Sequence, residues 1–258
     1  MQLKALGIIP ARWGATRFPG KPLHLMAGKP LLQHVWERCR QARKLDHLIV
    51  ATDDMRIAEA AFAWGAEVAM TSSKLRSGTD RAAAIAGKAP EFTHVVNIQG
   101  DEPLTDPKLI DRLVRELQRE RTLEMITAAH PFSEPAEAQS PHQVKVVLGR
   151  NRNALYFSRA AIPFQRDATE PGPLLRHQGI YGYTRDLLLR FVGWKPSPLE
   201  RAESLEQLRA LENGVTIRVV VTKCGSPGVD TPADAAAVER ELLRAARKRP
   251  PRRREKVS

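Results

Sequence analysis

Two short stretches hold most of the chemistry that this chain can be read for. The first is Pro10-Ala11-Arg12-Trp13-Gly14-Ala15-Thr16-Arg17-Phe18-Pro19-Gly20-Lys21. Arg12, Arg17 and Lys21 put three cations on one turn, which suits an anion carrying several phosphates. Gly14 and Gly20 let the backbone come close to such a ligand. It is not a P-loop, because five residues separate the two glycines and Pro22 stands where a Ser or Thr would hold magnesium. The second stretch is Val95-Val-Asn-Ile-Gln99-Gly100-Asp101-Glu102-Pro103. An apolar strand that emerges into Gly-Asp presents a carboxylate with little side-chain bulk beside it. Magnesium takes one or two such carboxylates and leaves room for phosphate and water. A third segment, Gly228-Val-Asp230-Thr-Pro-Ala-Asp234, is accounted for locally by a helix cap at Asp230 or Thr231.

These residues need elements to position them, and the hydrophobic pattern supplies an alternating series. Leu3–Ile9 reads as a buried strand, residues 31–43 as a helix with Leu31, Leu32, Val35, Trp36 and Cys39 on one face, and His47–Thr52 as a second strand. Asp53-Asp54 opens a helix running to about Trp64. Glu67–Met70 is a third strand, Ser77-Gly-Thr-Asp80 precedes an Ala-rich helix, and His94–Ile98 is a fourth strand. Asp106-Pro107 caps a helix that runs to about Arg119. This β-α-β-α order predicts an α/β fold whose mostly parallel sheet is covered on both faces. Ligands of such sheets bind at the carboxyl ends of the strands, where both loops fall. The second half is less regular, with strands expected at 124–130, 143–149, 178–184 and 215–222. Helices are expected there at 186–192, 202–212 and 232–248. Residues 167–174 read as a loop by composition.

The segments together resemble the 3-deoxy-manno-octulosonate (Kdo) cytidylyltransferases. The likeness is carried by Ile8-Ile-Pro-Ala-Arg12, Thr16-Arg-Phe-Pro-Gly-Lys-Pro-Leu23, Ala51-Thr-Asp53, Ser77-Gly-Thr-Asp-Arg81 and Val96–Pro103. It continues through Val144-Lys-Val-Val147, Ala154–Arg159, Arg176-His-Gln-Gly-Ile-Tyr-Gly-Tyr183, Glu203–Arg209 and Gly228–Pro232. The resemblance implies a nucleotide-diphospho-sugar transferase-like three-layer sandwich with a smaller inserted dimerisation lobe, and a homodimer. It implies that CTP and Kdo give CMP-Kdo and pyrophosphate, a cytoplasmic step supplying lipopolysaccharide assembly. In that reading Arg12, Arg17 and Lys21 clamp the triphosphate, and Asp101 and Asp230 hold Mg2+. Pro10, Ala11, Ser77 and Gln99 surround the nucleoside. Arg159, His177, Tyr181, Glu206 and Gln207 form the sugar-acid pocket. No nucleophilic side chain is required, because the sugar's anomeric hydroxyl attacks the α-phosphorus in line.

The residues also admit plainer roles. His177 reads as an ordinary edge-strand residue as well as a ligand. Tyr181 and Tyr183 share one face of a strand, and Glu206 and Gln207, adjacent on a helix, do not point the same way. Arg176 reads as structural, and Trp36, Trp64 and Trp194 as packing residues. Trp13 stands for the family's usual Tyr and Ala15 for its Ser, while Ser140-Pro-His-Gln143 replaces Asn-Pro-Asn and Gln178 stands where Leu is common. The latter changes bear on sugar preference, so another sugar acid, such as an 8-amino Kdo or a sialic acid, is the alternative acceptor.

Composition narrows the classes further. The net charge of +12 is uneven, for Arg244 to Ser258 hold eight Lys/Arg and one acid, leaving about +5 for the remainder. Residues 1–243 read as a single domain and 244–258 as a basic, disordered tail. Specific nucleic-acid binding is therefore not expected, a polyanion-binding protein on the same fold being the competing class. No apolar run approaches the ~20 residues of a membrane span, so no membrane insertion is expected. Cys39 and Cys224 lie far apart and read as reduced thiols.

Overall fold

Strand β1 (Ala5–Ala11) is buried at almost every position, so it has no face to give to water and takes a place inside the sheet. The computed structural model describes residues 3–14, 18–166 and 174–248. After β1 come a two-strand hairpin, β2 (Leu25–Met26) and β3 (Lys29–Pro30), then α1 (Leu31–Cys39), β4 (His47–Thr52), α2 (Met55–Ala63) and β5 (Glu67–Met70). Next are α3 (Gly78–Ala86), β6 (His94–Asn97), α4 (Pro107–Arg119) and β7 (Met125–Pro131). The second half holds β8 (Lys145–Leu148), β9 (Ala154–Ser158), β10 (Leu175–Thr184), α5 (Arg185–Gly193), α6 (Pro198–Glu203), α7 (Gln207–Glu212), β11 (Ile217–Val221) and α8 (Pro232–Lys248).

Among the described residues, nine strands form one sheet along the order β11-β7-β10-β6-β1-β4-β5, with the β8–β9 hairpin joined to it through β10. Strands β6, β1, β4 and β5 are parallel, as the β-α-β-α pattern requires. Strand β10 runs antiparallel to both β6 and β7, which makes the whole sheet mixed. One face packs on α1, α2, α4 and α8, and the other on α3, α5 and α7. This gives the expected three layers. Helix α4 shows why: Leu109, Ile110, Leu113, Val114 and Leu117 form one buried stripe, each side chain contributing about 1.5–3 kcal/mol.

Most predicted elements stand within a few residues of their expected ends, and α8 spans the expected residues 232–248. It continues past residue 243, the expected edge of the domain. The single helix expected over 202–212 is instead two, α6 and α7, parted by Ser204 in the left-handed region at φ 52°. A non-glycine residue there carries no sequence signal of a break. Strand β9 is not among the expected strands, although its residues belong to the family-like segment Ala154–Arg159. His177 lies on β10, between two partners, so it is not on an edge. Tyr181 and Tyr183 do share a face, stacked with ring centroids 5.9 Å apart. Residues 15–17, 167–173 and 249–258 lie outside the described residues, and with them Ala15, Arg17, most of the expected loop and most of the basic tail.

Candidate active site

A cleft of about 290 Å³ opens at the carboxyl ends of β1 and β6. Pro10, Ala11, Arg12, Lys21, Ser77, Gln99, Asp101 and Asp230 all line it, so the described residues expected around nucleotide and metal are gathered in one place. Gly100 explains how closely the two strand ends approach: a Cβ there would stand 2.6 Å from the Pro10 carbonyl oxygen. The turn after β1 is bent by Gly20 at φ 70°, which caps the short helix carrying Lys21. Trp13 packs against Gly20 and lies under Arg56, whose guanidinium carbon is 3.5 Å from the ring centroid. Arg56 is held in turn by both carboxylate oxygens of Asp54. Arg12 donates to the Arg76 carbonyl at 3.4 Å, tying this turn to the segment before α3. Ser77 also caps α3, accepting from the Asp80 amide while Asp80 accepts from that of Ser77.

Asp101 and Asp230 converge on one cation. Lys21 Nζ donates to Asp101 Oδ2 at 2.7 Å and to Asp230 Oδ1 at 3.4 Å. The two loops are joined by the Val229 amide donating to the Asp101 carbonyl at 2.9 Å. Thr231 and Asp234 form the helix cap between themselves, so the cap does not consume the Asp230 carboxylate. Two carboxylates aimed at a common point, with only oxygen donors, fit a hard divalent cation that keeps phosphate and water as further ligands. Among the described residues no group of three or more His, Cys, Asp or Glu is placed to hold a metal ion together.

Behind this pair lies a second cavity of about 270 Å³, and Gln99, Asp101 and Asp230 belong to the walls of both. Gln99 crosses between them, its Nε2 donating to the Gly179 carbonyl at 2.7 Å. Gly179 must be small, because a Cβ would meet Gln99 Cγ at 3.1 Å. His177 lines the second cavity. Burial lowers its pKa to about 3, so the ring is neutral at physiological pH, with Nε2 3.1 Å from Thr127 Oγ1. Glu102 is pushed up to about 8 by burial and then by the Asp101 carboxylate, against the pull of Arg176. Arg176, expected to be structural, is also part of this wall, as are His142, Gln143 and Gln178. Of the residues where this chain departs from the family pattern, His142, Gln143 and Gln178 therefore meet in one cavity.

The other expected sugar-acid residues do not line either cavity. Tyr181 is buried beside His177, with ring centroids 5.4 Å apart. Burial, Tyr183 and Glu206 raise its pKa. Its Oη and the Nε2 of buried Gln207 have no hydrogen-bond partner among the described residues. Glu206 stands at the N-terminal flank of α7 without a side-chain capping bond and Gln207 is its first residue, so both lie just after the Ser204 break. Arg159 is occupied: its guanidinium donates to the carbonyls of Glu203, Pro141 and Ser204 at 2.7, 3.1 and 3.3 Å. Residues that the sequence did not single out also line the first cleft, among them Arg81 and Asn97. Arg81 is buried and pairs with Asp53 at 3.0 Å. Both residues stood inside quoted motifs, where no residue type marked them as different from packing.

The fold and the paired cavities define a nucleotidyl-transferring enzyme class, and the comparisons give its family. Residues 6–217 match the model of the cytidylyltransferase family, and the chain belongs to that family. Among its relatives, a 3-deoxy-manno-octulosonate cytidylyltransferase of Solibacter usitatus is 50% identical over 240 residues, covering 93% of this chain and 95% of that protein. One of Myxococcus xanthus is 46% identical, covering 94% and 97%. An 8-amino-3,8-dideoxy-manno-octulosonate cytidylyltransferase of Shewanella pealeana is also 46% identical, over 91% of this chain and 97% of its own. A solved CMP:2-keto-3-deoxy-manno-octonic acid synthetase complexed with CTP aligns with a TM-score of 0.90 at 41% identity, over 94% of this chain and 99% of that one.

Proposed function

We propose that this chain joins CTP to Kdo, giving CMP-Kdo and pyrophosphate. The observation that carries the reading is the wall shared by two cavities, Gln99, Asp101 and Asp230, with Lys21 between the two carboxylates. A wall of this kind suits a reaction in which a phosphate on one side meets a hydroxyl on the other. Arg12 and Lys21, with Arg17, take the triphosphate, and Pro10, Ala11, Ser77 and Gln99 surround the nucleoside. The sugar acid lies toward His177, Tyr181, Glu206 and Gln207. Of these only His177 lines the second cavity; Tyr181 Oη and Gln207 Nε2 lie behind it, buried without a hydrogen-bond partner among the described residues, where buried polar atoms are ordinarily bonded. Arg159 acts through the turn it fastens, holding the start of α7 in place.

Asp101 and Asp230 would hold Mg2+, which when bound supplies charge neutralisation at phosphate and a lowered pKa for the attacking hydroxyl. The residues themselves do the positioning. Lys21 and Arg12 fix the triphosphate so that its α-phosphorus faces the acceptor. The anomeric oxygen forms the new bond to that phosphorus, the bond to the leaving pyrophosphate breaks, and the hydroxyl proton is released to solvent. Neutral His177 offers the sugar a hydrogen-bonding group without adding a charge.

The same reading takes residues 1–243 as one catalytic unit and 244–258 as a basic extension of α8. It takes the protein as a cytoplasmic homodimer, the product supplying lipopolysaccharide assembly. Leu155 on β9 and Phe164 beyond it are exposed apolar side chains suited to the subunit contact. No helix among the described residues is long and apolar enough to cross a membrane.

The test is pyrophosphate release from CTP and Mg2+ in the presence of Kdo, with 8-amino-Kdo and N-acetylneuraminate in parallel. Release that depends on Kdo is expected. Release with 8-amino-Kdo alone would move the acceptor to the amino sugar. That second reading is favoured by His142, Gln143 and Gln178 standing together on the second cavity. No release with any of the three would overturn the reading.

A further inference from the structure

Asn97 has no part in the chemistry described so far. It ends β6, is only 3% exposed, and lines the nucleotide cleft. Its Oδ1 is buried and accepts no hydrogen bond among the described residues. A buried amide oxygen without a donor is costly and rare, and asks for an explanation. The surroundings offer a direction. Asn97 stands directly opposite Tyr181 in the β6–β10 register, so the two side chains share one face of the sheet. Tyr181 Oη is also partnerless, and the Tyr181 ring is next to His177. Asn97 Nδ2 is 4.0 Å from where a Cβ on Gly78 would stand, so the amide reaches the start of α3, beside Ser77. The residue therefore sits where the nucleotide cleft meets the Tyr181–His177 group.

We propose that Asn97 is a specificity residue whose amide oxygen accepts a hydrogen bond from a sugar hydroxyl at the junction of the two substrates. The inference rests on the function proposed above and names one more residue of that site. Only a donor answers an amide oxygen. Both substrates carry such donors, as ribose hydroxyls on the nucleotide and ring hydroxyls on the sugar acid. The position opposite Tyr181 favours the acid.

The experiment uses Asn97→Leu, which keeps the branching at Cγ and removes both polar atoms, and Asn97→Thr, which suits a strand and keeps a hydroxyl. Steady-state kinetics with Kdo and CTP are measured together with calorimetric binding of CTP and 2′-deoxy-CTP and with the melting temperature. The KM for the acid is expected to rise about tenfold in Asn97→Leu and less in Asn97→Thr. CTP affinity should hold, and the melting temperature should not fall. Weaker CTP binding together with lost discrimination against 2′-deoxy-CTP would place the hydroxyl on ribose, and would still support the role. Unchanged constants for both substrates would overturn it, as would a lowered melting temperature with no change in either KM. If Asn97→Leu does not fold, Asn97→Thr is judged by the same constants. If the unmodified chain releases no pyrophosphate with any sugar acid, the functional reading falls. CTP calorimetry then decides Asn97 alone, and unchanged affinity overturns its role.

Discussion

The two ends of the site, assigned above to the nucleotide and to the acceptor, are built by different rules. At the end assigned to the nucleotide, two parallel neighbours, β1 and β6, pair from Ala5 opposite His94 to Ile8 opposite Asn97, β1 runs on to Ala11, and each leads into its functional loop. Lys21, Asp101 and Asp230 meet there through direct contacts of 2.7 and 3.4 Å. At the acceptor end the residues come from β10, which runs antiparallel and is bulged between Gln178 and Tyr181, from the start of the short helix α7, and from the residue after β9. Their side chains are buried, unpaired or tied to backbone carbonyls. One end is thus a set of charges on loop tips. The other is a set of buried and half-buried polar groups, whose positions depend on the packing of everything around them.

The sharpest way to break that contrast is at Asp101. Asp101→Ala should lower kcat roughly 10²- to 10³-fold, because the group acts on charge in the transition state. The fold should survive, since the side chain is part-exposed. Near-normal turnover with Mg2+ would take the carboxylate out of the metal site and leave the nucleotide end without its defining feature.

Arg159 probes the acceptor end. Three of its nitrogens hold carbonyls on two separate segments, and Lys145 Nζ donates back to the Arg159 carbonyl. Removing it loosens the turn that begins α7. Arg159→Ala should raise the KM for the sugar acid about tenfold and leave that for CTP unchanged. Arg159→Lys should not restore it, because an ammonium lacks the planar fork that reaches three carbonyls. A rescue by lysine would mean that the charge matters and that the residue meets substrate directly.

The same contrast explains what was legible in the sequence. Arg12, Lys21 and Asp101 could be singled out because the loops that carry them follow strands whose apolar runs mark their own ends, whereas Gln99 is named only through the family resemblance. The Gly100 requirement was readable too, as a need for small bulk beside a carboxylate. Asp230 was ambiguous because Thr231 and Asp234 alone account for a cap, and the ion pair to Lys21 joins segments distant in sequence. Glu206 and Gln207 were placed on one helix because Ser204 is not a residue type that announces a left-handed turn. Asn97 and Arg176 were passed over because a strand residue's exposure to a cavity is decided by partners that only the folded sheet brings together.

Burial at the acceptor end should also show in acid stability. His177 is held near pKa 3 in the fold against 6.5 when exposed. Between those values the unfolded chain binds the additional proton, so stability rises with pH over that range and is level above it. Burial lowers His94 and His130 in the same direction. Replacing His177 with Gln should therefore make the loss of stability between about pH 6 and pH 4 shallower, by up to roughly one proton. Urea unfolding across that range measures it. An unchanged slope would mean that the ring is accessible to water, and the acceptor end would then resemble the nucleotide end.

The smallest expected effect concerns the place where the nucleotide end departs from its family. Trp13 replaces the usual Tyr, and here its ring is pinned between Gly20 and Arg56, while Asp54 fixes Arg56. This stack connects α2 to the turn that carries Arg12 and Lys21, without touching either cation. Arg56→Ala removes the cover from one face of the ring and leaves the charges of the turn in place. The KM for CTP should rise about two- to fivefold, the range of an exposed cation–π contact, with the KM for the acid unchanged. Trp13→Tyr should behave almost as the parent, because a tyrosine ring also presents a face to the guanidinium, whereas Trp13→Ala should match Arg56→Ala. Equal effects in the two alanine variants and no further loss on combining them would identify a single contact. Additive losses would instead mean that Trp13 and Arg56 serve the loop separately, and that the nucleotide end, like the acceptor end, relies on packing spread over several elements.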